Sequence, residues 1–112
     1  MKIAIPSKEN SINSIVESRF GRAKGFIIAD ENKNIIKWID NEKNADAASG
    51  AGIQAAQSLI NEDVNVLISM NLGVKSLDLL KKYNIALYDL ESETTANDAL
   101  ELFNGNKLKK VK

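Results

Sequence analysis

Arginine occurs twice in this chain, both times within Arg19-Phe20-Gly21-Arg22-Ala23. A guanidinium fork beside a glycine, just ahead of a strand, suits two-point binding of a carboxylate or phosphate, so Arg22 is a candidate anion contact; a surface salt bridge is the plainer use. A glycine pair follows in Ser49-Gly50-Ala51-Gly52-Ile53-Gln54-Ala55-Ala56. Glycines at a helix start free the backbone N–H groups to face a ligand, and the helix dipole favours a negative one. Gly50 and Gly52 are candidates on that ground; close helix packing would need the same residues. The third stretch, Ser69-Met70-Asn71-Leu72-Gly73, ends an apolar strand and opens a helix. Carboxyl ends of parallel strands are where open α/β sheets bind ligands, which adds Asn71 and Gly73. An asparagine there also serves as an ordinary helix cap.

The remaining composition excludes more than it offers. Among 112 residues there is no cysteine and no histidine. Disulfides, thiolate catalysis and Cys- or His-type metal ligation are therefore absent. No nucleophile–base pair is visibly arranged among the lysines, serines and carboxylates, so the expectation is a protein that is not an enzyme. Lys+Arg and Asp+Glu are both 15, without the basic surplus of a nucleic-acid binder. Lys107, Lys109, Lys110 and Lys112 form one basic cluster, read as a solvated, frayed end. Met1-Lys2-Ile3-Ala4-Ile5 is cut off by Pro6 before it resembles a signal peptide, and no apolar run reaches the ~20 residues of a membrane span. A cytoplasmic protein of one domain over residues 1–112 is expected, with no nucleic-acid or membrane partner.

Apolar content of 44% supports a core, and 5% aromatics leave it to Ile, Leu, Val and Ala. Residues 2–5 read as a strand stopped by Pro6, and residues 10–18 as a loop with a helical turn. Residues 25–30 and 35–40 form a hairpin around the turn at 31–34. A polar loop at 41–49 leads to a helix over 52–61 with Ile53, Ala56 and Ile60 inward. Residues 64–69 are a strand buried on both faces. A helix over 73–83 turns Val74, Leu77 and Leu80 inward and stops at Asn84. Residues 85–88 form a fifth strand. Thr95 and Asp98 make a capping box for a last helix, which ends at Asn104-Gly105. The order β-β-β-α-β-α-β-α implies an α/β domain: a mixed five-stranded sheet with helices on its faces, in a ribonuclease-H-like three-layer arrangement.

Gly50-Ala51-Gly52-Ile53-Gln54-Ala55 also matches the dinucleotide fingerprint, but no strand ends at its first glycine and no acid stands at the tip of the next strand. Ribonuclease-H chemistry needs an acid on the first strand, and Lys2-Ile3-Ala4-Ile5 has none; Asp30, Asp40, Asp63 and Asp89 read as solvated turn residues.

Taken together, Ile3-Ala4-Ile5-Pro6, Phe20-Gly21-Arg22-Ala23, Gly50-Ala51-Gly52-Ile53-Gln54-Ala55-Ala56-Gln57, Asn71-Leu72-Gly73 and Gly105-Asn106-Lys107-Leu108 resemble the dinitrogenase iron–molybdenum cofactor biosynthesis family. The resemblance implies non-covalent binding and handover of the iron–molybdenum cofactor or a precursor iron–sulfur cluster, with a client metalloprotein as partner. Related sequences often carry a histidine where this chain has Ser49, which adds Ser49 to the candidates. Without Cys or His, a cluster would be held by its anionic shell, through amides, Arg22 and lysines. The alternative is a regulatory or interaction module that binds a small anion, outside nitrogen fixation.

Overall fold

Six strands build one sheet in the computed structural model, which describes residues 1–111. They are β1 (Ile3–Ser7), β2 (Gly25–Ala29), β3 (Ile35–Asp40), β4 (Val66–Ser69), β5 (Ala86–Asp89) and β6 (Lys109–Lys110). Their spatial order is β3-β2-β1-β4-β5-β6. β1, β4 and β5 run parallel, β2 is antiparallel to β1 and β3, and β6 is antiparallel to β5. Four helices complete the chain: the single turn α1 (Glu42–Ala45), then α2 (Ala51–Asn61), α3 (Val74–Lys82) and α4 (Ala96–Asn104). Phe20–Arg22 is a 3-10 turn.

Alternation along the strands divides the core in two. Ala4, Phe26, Ile28, Leu67 and Leu87 face α2 and α3, packing with Ala55, Ala56, Leu59 and Leu80. Ile3, Ile5, Ile27, Val66 and Ile68 face α4, packing with Ala96, Ala99 and Leu100. Each fully buried Ile or Leu contributes roughly 1.5–3 kcal/mol, so a core of this composition holds the sheet with few aromatic contacts. α4 is fixed at its start by Thr95, whose side-chain oxygen accepts the Asp98 N–H at 3.2 Å, one half of the expected capping box; the Asp98 carboxylate accepts from Thr94 Oγ1 instead. In the β2–β3 turn, hydrogen bonds to Asp30 from Asn34, its backbone N–H foremost, hold the Asp30 carboxyl below the usual carboxylate range.

Several expectations need correcting. The sheet has six strands rather than five, because Lys109 and Lys110 pair with Asp89 and Tyr88 instead of fraying; Lys112 lies outside the described residues. The loop at 10–18 holds no helix; it is pinned by isolated bridges from Val16 to Ser7 and from Ile15 to Thr95. Asn41 opens the helical turn α1 inside what reads as a loop. In α2 Ala56 and Leu59 are buried as their spacing suggests, but Ala51 and Ala55 complete the stripe in place of the isoleucines: Ile53 is exposed and Ile60 only partly covered. In α3 the buried positions are Ser76 and Leu80, and Val74 is 73% exposed. Asn84 does take the left-handed conformation expected of it, at φ 61°. At the end of α4 that role falls to Asn106 at φ 56°, not to Gly105.

Candidate functional site

The three stretches converge. Arg19, Phe20, Gly21, Arg22, Gly50, Ala51, Gly52, Asn71, Gly73 and Ser76 line one shallow hollow of about 290 Å³. It lies on the rim where β1, β4 and β5 end, between the starts of α2 and α3. Of the candidates read from sequence, Arg22, Gly50, Gly52, Asn71 and Gly73 meet here. Ser49 is exposed and outside the lining.

Close backbone approach explains two of the glycines. A Cβ on Gly21 would stand 2.6 Å from the Gly52 nitrogen, and one on Gly52 would stand 2.6 Å from Ser76 Oγ. The 3-10 turn, α2 and α3 are thus drawn together through three small residues. Gly50 has φ 76°, a left-handed conformation that side chains resist, so it turns the chain into α2. Gly73 differs. Its φ is −69°, and a Cβ there would meet nothing within 4 Å, so neither the backbone nor the packing calls for glycine.

Gly50 and Gly73 are the N-cap residues of α2 and α3, and neither helix has a side-chain cap, in contrast to α4. The first turns of both helices, with their positive dipole ends, therefore lie at the same rim, with the Gly52 nitrogen packed against Gly21.

The charges are arranged differently from the expectation. Arg22 Nη1 donates to the carbonyls of Ala45 at 2.6 Å and Ala47 at 2.8 Å, tying the turn to the segment after α1. Arg19, also on the lining, is exposed, and its guanidinium makes no hydrogen bond or ion pair with any described residue. The sequence reading passed over Arg19 because partnering is a tertiary property. It also missed Asn41, which is 1% exposed and donates Nδ2 to the carbonyls of Gly21 and Ala23 at 3.2 and 2.9 Å. Asn71 does not cap α3. It takes φ 45° and donates Nδ2 to the Ser18 carbonyl at 3.1 Å, closing the other side of the turn. The walls of the hollow are thus held by side chain to backbone bonds from two directions.

Among the described residues no group of three or more acidic, His or Cys side chains could hold a metal ion. The donors present suit the outer oxygens or sulfurs of an anion, not direct bonds to iron or molybdenum. Among the described residues no helix is long and apolar enough to cross a membrane.

Comparison with known proteins gives consistent relatives. The sequence profile described as dinitrogenase iron-molybdenum cofactor matches residues 1–106. An uncharacterized protein of Methanocaldococcus jannaschii is 30% identical, with 98% of this chain and 91% of that protein covered. Among solved structures, the apo form of the orange protein from Desulfovibrio gigas has a TM-score of 0.90 at 28% identity, covering 98% of this chain and 92% of that one. A NifB-like protein from Thermotoga, assigned to the DUF35 family, has a TM-score of 0.82 at 32% identity, covering 97% and 91%.

Proposed function

The chain belongs to the dinitrogenase iron–molybdenum cofactor family, and from that premise we propose that it is a non-enzymatic accessory protein whose rim hollow holds an anionic metal–sulfur cofactor, the iron–molybdenum cofactor or a precursor cluster, as cargo for a client metalloprotein. The observation that carries this reading is the pair of uncapped helix starts, α2 and α3, opening beside Arg19. Such donors bind the anionic surface of a cluster without a covalent bond, which suits cargo that must be released. Arg19 supplies the uncommitted charge, and Arg22 keeps the turn in place. The strand order, with β2 antiparallel to its neighbours, supports a ribonuclease-H-like description of the fold, and a cytoplasmic location fits such a handover role.

The missing thiolates and imidazoles favour a second reading, a regulatory module that binds a small oxyanion at the same donors. One anaerobic experiment separates the two. The full chain is titrated with isolated iron–molybdenum cofactor and, separately, with molybdate, read by visible absorption and co-elution. The carrier reading expects stoichiometric co-elution of the cofactor, weakened about tenfold by Arg19→Ala, the effect of losing one charge-assisted contact. Binding of molybdate alone supports the regulatory module. Binding of neither, or cofactor binding indifferent to Arg19→Ala, rejects the hollow as the site.

A further inference from the structure

A second cavity, of about 340 Å³, opens on the same rim. Its floor is apolar, made by Leu67, Leu72, Leu77, Leu87 and Val111, and its polar lining includes Ser69, Asn71 and Asp89. Its place in the fold is informative. β4 is followed by α3, which packs on one face of the sheet, and β5 by α4, which packs on the other. Chain connections therefore diverge between β4 and β5, and Leu67, Ser69, Leu87 and Asp89 belong to the ends of these two strands. A crevice outside the carboxyl ends of strands, at such a switch point, is where open α/β sheets bind ligands. The volume falls in the range of small-molecule sites, roughly 300–1,000 Å³.

Apart from Tyr88, whose ring packs against Phe103, the polar side chains on this lining share one character. Ser69 Oγ donates its proton to the Met70 carbonyl at 3.1 Å, so only lone pairs remain. Asn71 has its Nδ2 engaged by the Ser18 carbonyl at 3.1 Å, which leaves its carbonyl oxygen as the uncommitted end. The Asp89 carboxylate makes no hydrogen bond or ion pair with any described residue and is the one charged group on this lining. Lys109, its register partner in β6, lines an adjoining cleft with Lys110, Val111 and Asp89 itself, yet is not within ion-pair distance of the carboxylate. These groups accept hydrogen bonds, and an anion placed here would meet Asp89.

We propose that this cavity is a second binding site, distinct from the hollow, for a small molecule with a short branched aliphatic body and a protonated amine head. The body lies on Leu67, Leu77, Leu87 and Val111. The head takes the Asp89 carboxylate, with Ser69 Oγ and the Asn71 carbonyl oxygen as further acceptors. The site does not depend on what the hollow binds.

The probes are 3-methylbutylammonium, its neutral analogue 3-methylbutan-1-ol and its anionic analogue 3-methylbutanoate, each titrated into the isotopically labelled full chain and followed by amide NMR shifts. The ammonium ion is expected to shift the Ser69, Asn71, Leu72, Leu87 and Asp89 resonances saturably. Asp89→Asn, at an exposed position and checked for fold by the same spectra, weakens that binding about tenfold, as expected for loss of an ionic hydrogen bond. The alcohol binds more weakly than the amine, and the carboxylate weakest. Equal binding of the three probes, shifts mapping elsewhere, or an affinity unmoved by Asp89→Asn overturns the proposal.

Discussion

The hollow and the cavity stand side by side on one rim and both include Asn71, yet they offer opposite chemistry. In the hollow, backbone N–H groups at two helix starts and the unpartnered Arg19 are donors. In the cavity, the lone pairs of Ser69 and the carboxylate of Asp89 are acceptors over an apolar floor. The difference follows from which end of an element reaches the rim. A helix start without a side-chain cap presents orphan backbone donors, whereas a strand end presents the side chains its sequence supplies. A site at helix starts is therefore open to damage through backbone packing and capping as well as through a single side chain, and a site at strand ends chiefly through a single side chain.

The largest expected effect tests that distinction on the hollow. In Gly21→Ala the new Cβ would meet the Gly52 nitrogen and Cα, at 2.6 and 2.8 Å, which are backbone atoms with little room to yield. The variant should lose roughly 1–3 kcal/mol in urea unfolding, the usual cost of overpacking, along with cofactor binding. Amine binding in the cavity should stay within about twofold of the unaltered chain, because the new Cβ would press on Gly52 and Ala51, neither of which lines the cavity. A parallel loss at both sites, measured above the unfolding transition of neither variant nor parent, would show that the rim moves as one body and that the two regions are not separable.

Arg22→Ala probes the same contrast more gently. The lost bonds to the carbonyls of Ala45 and Ala47 are exposed, so the stability cost should be about 1 kcal/mol. Cofactor affinity should fall less than in Arg19→Ala, since Arg22 acts through the turn it holds. Both bonds come from one nitrogen, Nη1, and a lysine ammonium also has protons for two carbonyls, so Arg22→Lys should recover part of the stability. A larger affinity loss at Arg22 than at Arg19 would return Arg22 to the direct role its place beside Gly21 first suggests.

What the sequence disclosed depended on whether the signal was local. Apolar alternation and the glycines marked the central strands, the helix starts and the three converging stretches, because strand period and close backbone approach both leave their trace in residue type. β6 left none: two lysines carry no alternation, and they become a strand only because β5 offers an edge. The phases of α2 and α3 misled for a related reason. Ser76 is pressed against Gly52, and that small-residue contact sets how the helices sit, leaving Ile53 and Val74 exposed although both are apolar. The sequence favours Arg22, which follows Gly21, over Arg19, and only the fold shows which of the two is already engaged. Asp89 reads as a turn acid until the cavity beneath it is seen.

The smallest change in stability belongs to Gly73, and it separates folding from function most cleanly. Gly73 occupies the N-cap of α3 with φ −69° and ψ 155°, the extended geometry a capping serine adopts, and has open space where a side chain would go. Serine there would accept a hydrogen bond from the first turn of α3, and it orders less backbone on folding than glycine does. Gly73→Ser is therefore expected to stabilise the chain by about 0.5 kcal/mol in urea unfolding. The same hydroxyl would occupy the hollow and engage an N–H group that the anion needs, so cofactor affinity should fall. Amine binding in the cavity, whose lining does not include Gly73, should not change. A stabilised variant with undiminished cofactor binding would mean that the start of α3 is no part of the anion site, and the hollow would reduce to the start of α2 and Arg19.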